Sequence, residues 1–174
     1  MKVNAIKVGY LKANCYIIEN EFNEVLVVDP GAEFKKIDSL LEGKKVVGVL
    51  KTHSHPDHIG AIKPILKKYN VLCNSFNYDN FSFEVIKTPG HYKDSLSFYF
   101  PKEKMMFTGD FLFKGTFGRV DLPGSNPSDM KKSLIDIKKY PEDTLIYPGH
   151  GHFTILKDEL NNIDYFINYY FGNL

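Results

Sequence analysis

Along the first third of the chain, apolar positions come in short runs separated by turn-forming stretches. Val3–Val8, Asn14–Glu19 and Glu24–Asp29 are rich in β-branched and aromatic residues and predict three strands. Pro30-Gly31 stops the third. The spacing then changes. Phe34, Ile37, Leu40 and Leu41 fall on one face of a helix over Glu33–Leu41, with Gly43 as terminator. Lys45–Leu50 is an apolar strand ending just before Thr52, and a helix from about Ile59 to Tyr69 follows, to be kinked or split at Pro64. Phe81–Lys87, Ser95–Phe100 and Lys104–Phe107 predict further strands, and 109–126 a polar, glycine-rich loop. Pro127–Lys139 predicts a helix with Asn126 as N-cap, Thr144–Tyr147 a short strand, and Leu156–Tyr170 a closing helix. Strands that alternate with helices after a strand-rich start imply mixed sheets covered by helices. In the closing helix Ile163, Tyr165, Phe166, Ile167, Tyr169, Tyr170 and Phe171 can cover a core or form a dimer face; the core is the commoner use, and monomer and homodimer both stay open.

The chain has 174 residues, enough for one domain (1–174) with a substantial core. A net charge of +1 lacks the basic footprint of a nucleic-acid binder. The Lys-Lys pairs Lys35-Lys36 and Lys67-Lys68 read as solvated helix faces. No long apolar segment suggests a signal peptide or membrane span, so a cytoplasmic protein is expected. Cys15 and Cys73 lie in apolar runs without metal spacing and read as buried free thiols. Against 21 lysines there is one arginine, Arg119, a position that either needs the planar guanidinium fork or holds it by chance.

The histidines change the picture most. Three of the six fall in His53-Ser54-His55-Pro56-Asp57-His58, directly after a predicted strand. Alternating residues past a strand end project to one side, so His53, His55 and Asp57 can converge, and His58 can approach from the start of the next helix. His91, Asp110 and His150 also follow predicted strands, each behind a glycine that permits a sharp turn. A lone histidine is ordinarily a core or surface residue; this concentration of imidazole and carboxylate is the donor set of zinc and similar ions. A single tetrahedral ion needs three protein ligands and water, so seven donors suggest two ions with one group shared.

The cluster matches the His-x-His-x-Asp-His motif, and with Val28-Asp29-Pro30-Gly31, Pro89-Gly90-His91, Thr108-Gly109-Asp110 and Pro148-Gly149-His150-Gly151 the chain resembles the metallo-β-lactamase superfamily over nearly its whole length. The resemblance implies an α/β fold, the four-layer αββα sandwich with two mixed β-sheets flanked by helices. Gly109-Asp110-Phe111-Leu112-Phe113 and Gly118-Arg119-Val120-Asp121-Leu122-Pro123-Gly124 are similar to the small bacterial glyoxalase II-type (hydroxyacylglutathione hydrolase-like) hydrolases. That similarity implies two divalent metal ions, zinc with iron or manganese as alternatives. His53, His55 and His91 would hold the first, Asp57, His58 and His150 the second, and Asp110 would bridge. It implies cleavage of a small-molecule thioester by metal-bound hydroxide, with Asp57 and Asp110 indispensable. Arg119 stands where the family places a basic residue near substrate, unless it pairs only with Asp121. Asp29 is either a partner of a ligand imidazole or a turn aspartate.

Three features depart from that pattern. The 174 residues are expected to hold the sandwich alone, without the C-terminal helical domain that helps full-length glyoxalase II enzymes bind glutathione. Tyr92-Lys93-Asp94-Ser95 replaces the commoner Thr-Pro-Gly-Ser after His91. His152 matches no ligand, and a surface or ligand-supporting place is expected for it. Two other readings remain. One is a persulfide dioxygenase of the same superfamily, with one iron on His53, His55 or His58, His91 and Asp110. The other is a non-catalytic metal-binding module, although structural zinc sites favour cysteine.

Overall fold

A computed structural model describes residues 1–172, and the chain divides into two compact units, Met1–Ser82 and Phe83–Leu174. The first holds one mixed sheet, in the order β1 (Lys2–Val8), β2 (Ala13–Glu19), β3 (Glu24–Val28), β4 (Lys45–Leu50). The pairs are antiparallel except β3 with β4, which run parallel because α1 (Phe34–Leu41) carries the chain back between them. Val8, Ala13, Cys15, Ile17, Val25, Val27 and Val49 pack on Ile37 and Leu41 of α1 and on Ile62 and Ile65 of α3 (Ile62–Tyr69). The alternate residues Tyr16, Ile18, Leu26, Val28 and Leu50 are buried as well. Strands buried on both faces read as unbroken apolar runs, which is why β2 and β3 stand out in the sequence without alternation.

The second unit holds a five-stranded mixed sheet, β11 (Thr154–Ile155), β10 (Leu145–Pro148), β7 (Met105–Gly109), β6 (Leu96–Phe100), β5 (Glu84–Lys87), in which only β7 and β10 are parallel. Met106 and Ile146 pack with Met130, Leu134 and Ile137 of α4 (Pro127–Ile137) and with Leu156 and Ile163 of α5 (Leu156–Tyr165). Phe98, Phe100 and Phe107 fill the alternate positions and are also buried. Asn126 caps α4 as expected, its Oδ1 accepting the Asp129 N–H at 3.1 Å. Two mixed sheets flanked by helices are the fold class that the sequence led us to expect.

Several boundaries differ from expectation. The helix after the histidine cluster starts earlier, as α2 (Pro56–Ile59), and breaks at Gly60-Ala61 rather than at Pro64. Pro64 lies in the first turn of α3, where no helical partner is required of its nitrogen. The break follows from a close approach: a Cβ on Gly60 would stand 2.3 Å from the Gly31 carbonyl oxygen, and the Ala61 N–H donates to the Pro30 carbonyl at 2.8 Å. The stretch expected as loop contains a small hairpin, β8 (Leu112–Phe113) with β9 (Thr116–Phe117). The expected closing helix leaves α-helical geometry at Phe166 and continues as a π-helical turn to Tyr170. Its apolar and aromatic residues divide: Phe166, Ile167 and Phe171 pack into the core, while Tyr165, Tyr169 and Tyr170 are exposed. Cys15 is a buried free thiol; Cys73 is free but only half-buried, correcting the expectation for that residue.

Candidate metal centre

In each unit a parallel strand pair places the ends of two strands side by side and aims the segments beyond them the same way. In the first unit β3 and β4 end together, and the Asp29 N–H donates to the Leu50 carbonyl at 3.0 Å. Asp29, at φ 47°, turns its buried carboxylate toward the segment after β4. There Oδ1 accepts the Thr52 N–H at 2.7 Å, and Oδ2 accepts the Thr52 hydroxyl at 2.5 Å and lies 3.0 Å from His58 Nδ1. The Thr52 hydroxyl also contacts His53 Nδ1 at 3.0 Å. Asp29 is thus both the turn aspartate and the contact of an imidazole, two roles that the sequence alone presented as alternatives.

The four members of the cluster gather around this hub. His53 Nε2 lies 3.1 Å from His55 Nδ1, and the His53 and His58 rings are 4.3 Å apart centre to centre. His58 Nε2 stands 3.6 Å from Asp57 Oδ2. Asp29, His53 and His58 are buried, and His55 and Asp57 half-buried. The loop is tightly held, because a Cβ on Gly31 would meet the Asp57 carbonyl oxygen at 1.5 Å.

In the second unit β7 and β10 end together, with Pro148 beside Gly109 and the Gly149 N–H donating to the Gly109 carbonyl at 2.7 Å. Asp110 and His150 therefore emerge next to each other. Asp110 Oδ2 lies 3.6 Å from His150 Nε2 and also 3.6 Å from His91 Nε2. His91 comes from the turn after β5, and its Nδ1 is 2.8 Å from the Arg119 carbonyl oxygen. A carbonyl oxygen accepts only, so Nδ1 carries the proton and Nε2 presents a lone pair. A Cβ on Gly118 would sit 1.8 Å from the Asp110 carbonyl oxygen and 3.0 Å from the His91 ring, so that glycine is required by the packing of both.

Separations of 3.6 Å are too long for hydrogen bonds. They fit donors that share an ion: with bonds of about 2.1 Å, two ligand atoms on a tetrahedral zinc stand roughly 3.4 Å apart. The donor chemistry of both units therefore suits divalent metal, and the contacts on Nδ1 of His53, His58 and His91 are of the kind that orients a ligand ring.

The model of the metallo-beta-lactamase superfamily matches residues 8–72 and 79–150. The chain belongs to this superfamily. Most members of the superfamily are metal-dependent hydrolases, and the superfamily binds divalent metals. The hydroxyacylglutathione hydrolase GloC of Haemophilus influenzae is 28% identical, over 91% of this chain and 95% of GloC. Among solved structures, the B3 metallo-β-lactamase BLEG-1 superposes with a TM-score of 0.87 at 26% identity, covering 92% of this chain and 97% of its own. TTHA1623, solved in a di-iron-bound form, superposes with a TM-score of 0.84 at 28% identity, covering 91% and 98%. No helix among the described residues is long and apolar enough to cross a membrane.

The remaining residues singled out in the sequence fall as follows. The Arg119 guanidinium is exposed and grips Asp121 with two hydrogen bonds of 2.9 Å, while its carbonyl serves His91. His152 is exposed in the segment after His150. Sequence reasoning placed Thr52 directly before the cluster but gave it no role; it links Asp29 to His53.

Proposed function

We propose that this member of the superfamily hydrolyses thioesters at a two-metal centre. His53, His55 and His91 serve one ion, Asp57, His58 and His150 the other, and Asp110 both. The observation that carries the reading is the single Asp110 oxygen equidistant, at 3.6 Å, from two imidazole nitrogens. The likeness to GloC supports the substrate class. The ions are zinc, or iron in part, in keeping with the di-iron form of TTHA1623.

Divalent ions in such a site supply a water of low pKa as nucleophile and a Lewis acid for the carbonyl oxygen. The chain's own residues supply orientation. The Arg119 carbonyl holds His91 in the tautomer that offers Nε2, and Asp29 does the same for the His58 ring through Nδ1. Asp57 and Asp110 offset the positive charge brought into a half-buried site. Arg119 is the proposed contact for a substrate carboxylate. Its present partner Asp121 is an exposed one, so exchanging it costs little. A thiolate leaves readily, so no acid is needed at the leaving group.

The test combines metal analysis with a thiol-release assay on glutathione and non-glutathione thioesters. About two ions per chain and thiol release are expected. Asp110→Asn should lose more than the roughly 10–100-fold that disturbing a ligand's hydrogen-bond partner costs. Full metal and full turnover in that variant would refute the bridging role. One iron per chain with oxygen uptake on a glutathione persulfide would replace the hydrolase by a dioxygenase.

A further inference from the structure

Glu159, on α5, is a buried carboxylate about 2% exposed and is absent from the ligand set. Its Oε1 accepts the Thr154 hydroxyl at 2.6 Å, and its Oε2 accepts the Gly115 N–H at 2.8 Å and an Asn162 amide N–H at 2.9 Å. Among the described residues these hydrogen-bond donors are all neutral. A carboxylate buried without a cation is an expensive way to fill core space, because an amide or apolar side chain avoids the desolvation cost. What it gains here is three donors held at once: Gly115 on the β8–β9 hairpin, Thr154 on β11 and Asn162 on its own helix.

The hairpin and β11 each follow a candidate metal donor of the second unit, Asp110 and His150 respectively. Gly115 is the tip of the β8–β9 hairpin, five residues beyond Asp110. Thr154 opens β11, four residues beyond His150. The hairpin also places Phe113 against the His150 ring, edge to face at 6.3 Å. The Asp110 and His150 limbs are thus tied at their bases by β7–β10 pairing and at their far ends by Glu159.

We infer that Glu159 is a positioning residue for the metal centre. By clamping the hairpin tip to β11, it fixes the separation of Asp110 Oδ2 and His150 Nε2 and so the affinity for the ion that these two share. This rests on the metal-binding part of the reading above and not on the thioester substrate.

The test compares Glu159→Ala, Glu159→Gln and Thr154→Val by chelator-competition metal titration, with apo-protein melting measured alongside. Glu159→Ala should bind the ion that Asp110 and His150 share 10-fold or more less tightly, in the range for disturbing a ligand's support. The visible spectrum of the cobalt-loaded protein should change with it. Glu159→Gln should recover most of the affinity, since its carbonyl accepts from Gly115 while its amide donates to a reoriented Thr154 hydroxyl. Thr154→Val severs only the β11 arm and should show a smaller loss in the same direction; it decides the matter if Glu159→Ala does not fold. Wild-type metal affinity in folded Glu159→Ala, or in Thr154→Val, would overturn the inference even if the melting temperature fell. Absence of thioester turnover in the wild type would refute the substrate assignment and leave this comparison intact.

Discussion

Replacing Asp29 by alanine removes the acceptor for three groups at once: the Thr52 N–H at 2.7 Å, the Thr52 hydroxyl at 2.5 Å and His58 Nδ1 at 3.0 Å. All three residues are buried. A buried donor left unsatisfied costs about 1–3 kcal/mol. The hydroxyl can turn away, so the backbone N–H and the imidazole set the loss, at roughly 2–6 kcal/mol together. Alanine at φ 47° adds about 1 kcal/mol of strain. The total is a large part of the roughly 5–15 kcal/mol that holds a domain folded. Asp29→Asn keeps one acceptor and tolerates the left-handed backbone, so it should lose about half as much. Urea unfolding of metal-stripped protein measures the stability term. Metal titration of the folded variants measures the second effect, a loss of roughly 10–100-fold in affinity from the released His58 ring. If Asp29→Ala unfolds within about 0.5 kcal/mol of the wild type and binds metal equally well, the carboxylate is a spectator and the hub argument fails.

Two further outcomes follow from the structure. The Lys45 ammonium, helped by Asn80 and Asn20, holds the buried Glu24 carboxyl down to about 2. A carboxyl depressed in the folded state contributes stability above its unfolded pKa, lost as pH falls through the folded one. Wild type should therefore lose more stability than Glu24→Gln between about pH 4.5 and 2, and equal acid unfolding curves would contradict this. Gly118→Ala places a Cβ 1.8 Å from the Asp110 carbonyl oxygen and should cost metal binding before it costs the fold, measured as metal content against far-ultraviolet circular dichroism.

The strands and main helices were legible because the inner strands of both sheets are buried on both faces, so that apolar runs such as Tyr16-Ile17-Ile18 and Val25–Val28 stand out. The hairpin 112–117 was not legible. Each arm has two residues, and what holds it is distant in sequence: Phe117 packs on Phe166, Tyr170 and Phe171, and Gly115 hangs from Glu159. The position of the break at Gly60 was hidden for the same reason, since its cause is the Gly31 backbone. At the candidate site, histidine spacing picked out the candidate donors, but the residues that contact them are ordinary ones. A threonine, a backbone carbonyl at Arg119 and a buried glutamate carry no local signature.

The turn that presents His91 lies directly on α4. A Cβ on Gly90 would fall 2.5 Å from the Cα of Met130, and the Asn126 N–H donates to the Gly90 carbonyl at 2.8 Å. The obstacle is main chain, so no smaller residue at 130 relieves it. Position 90 is closed to drift by any single exchange elsewhere, and a lineage can leave glycine there only by moving a helix.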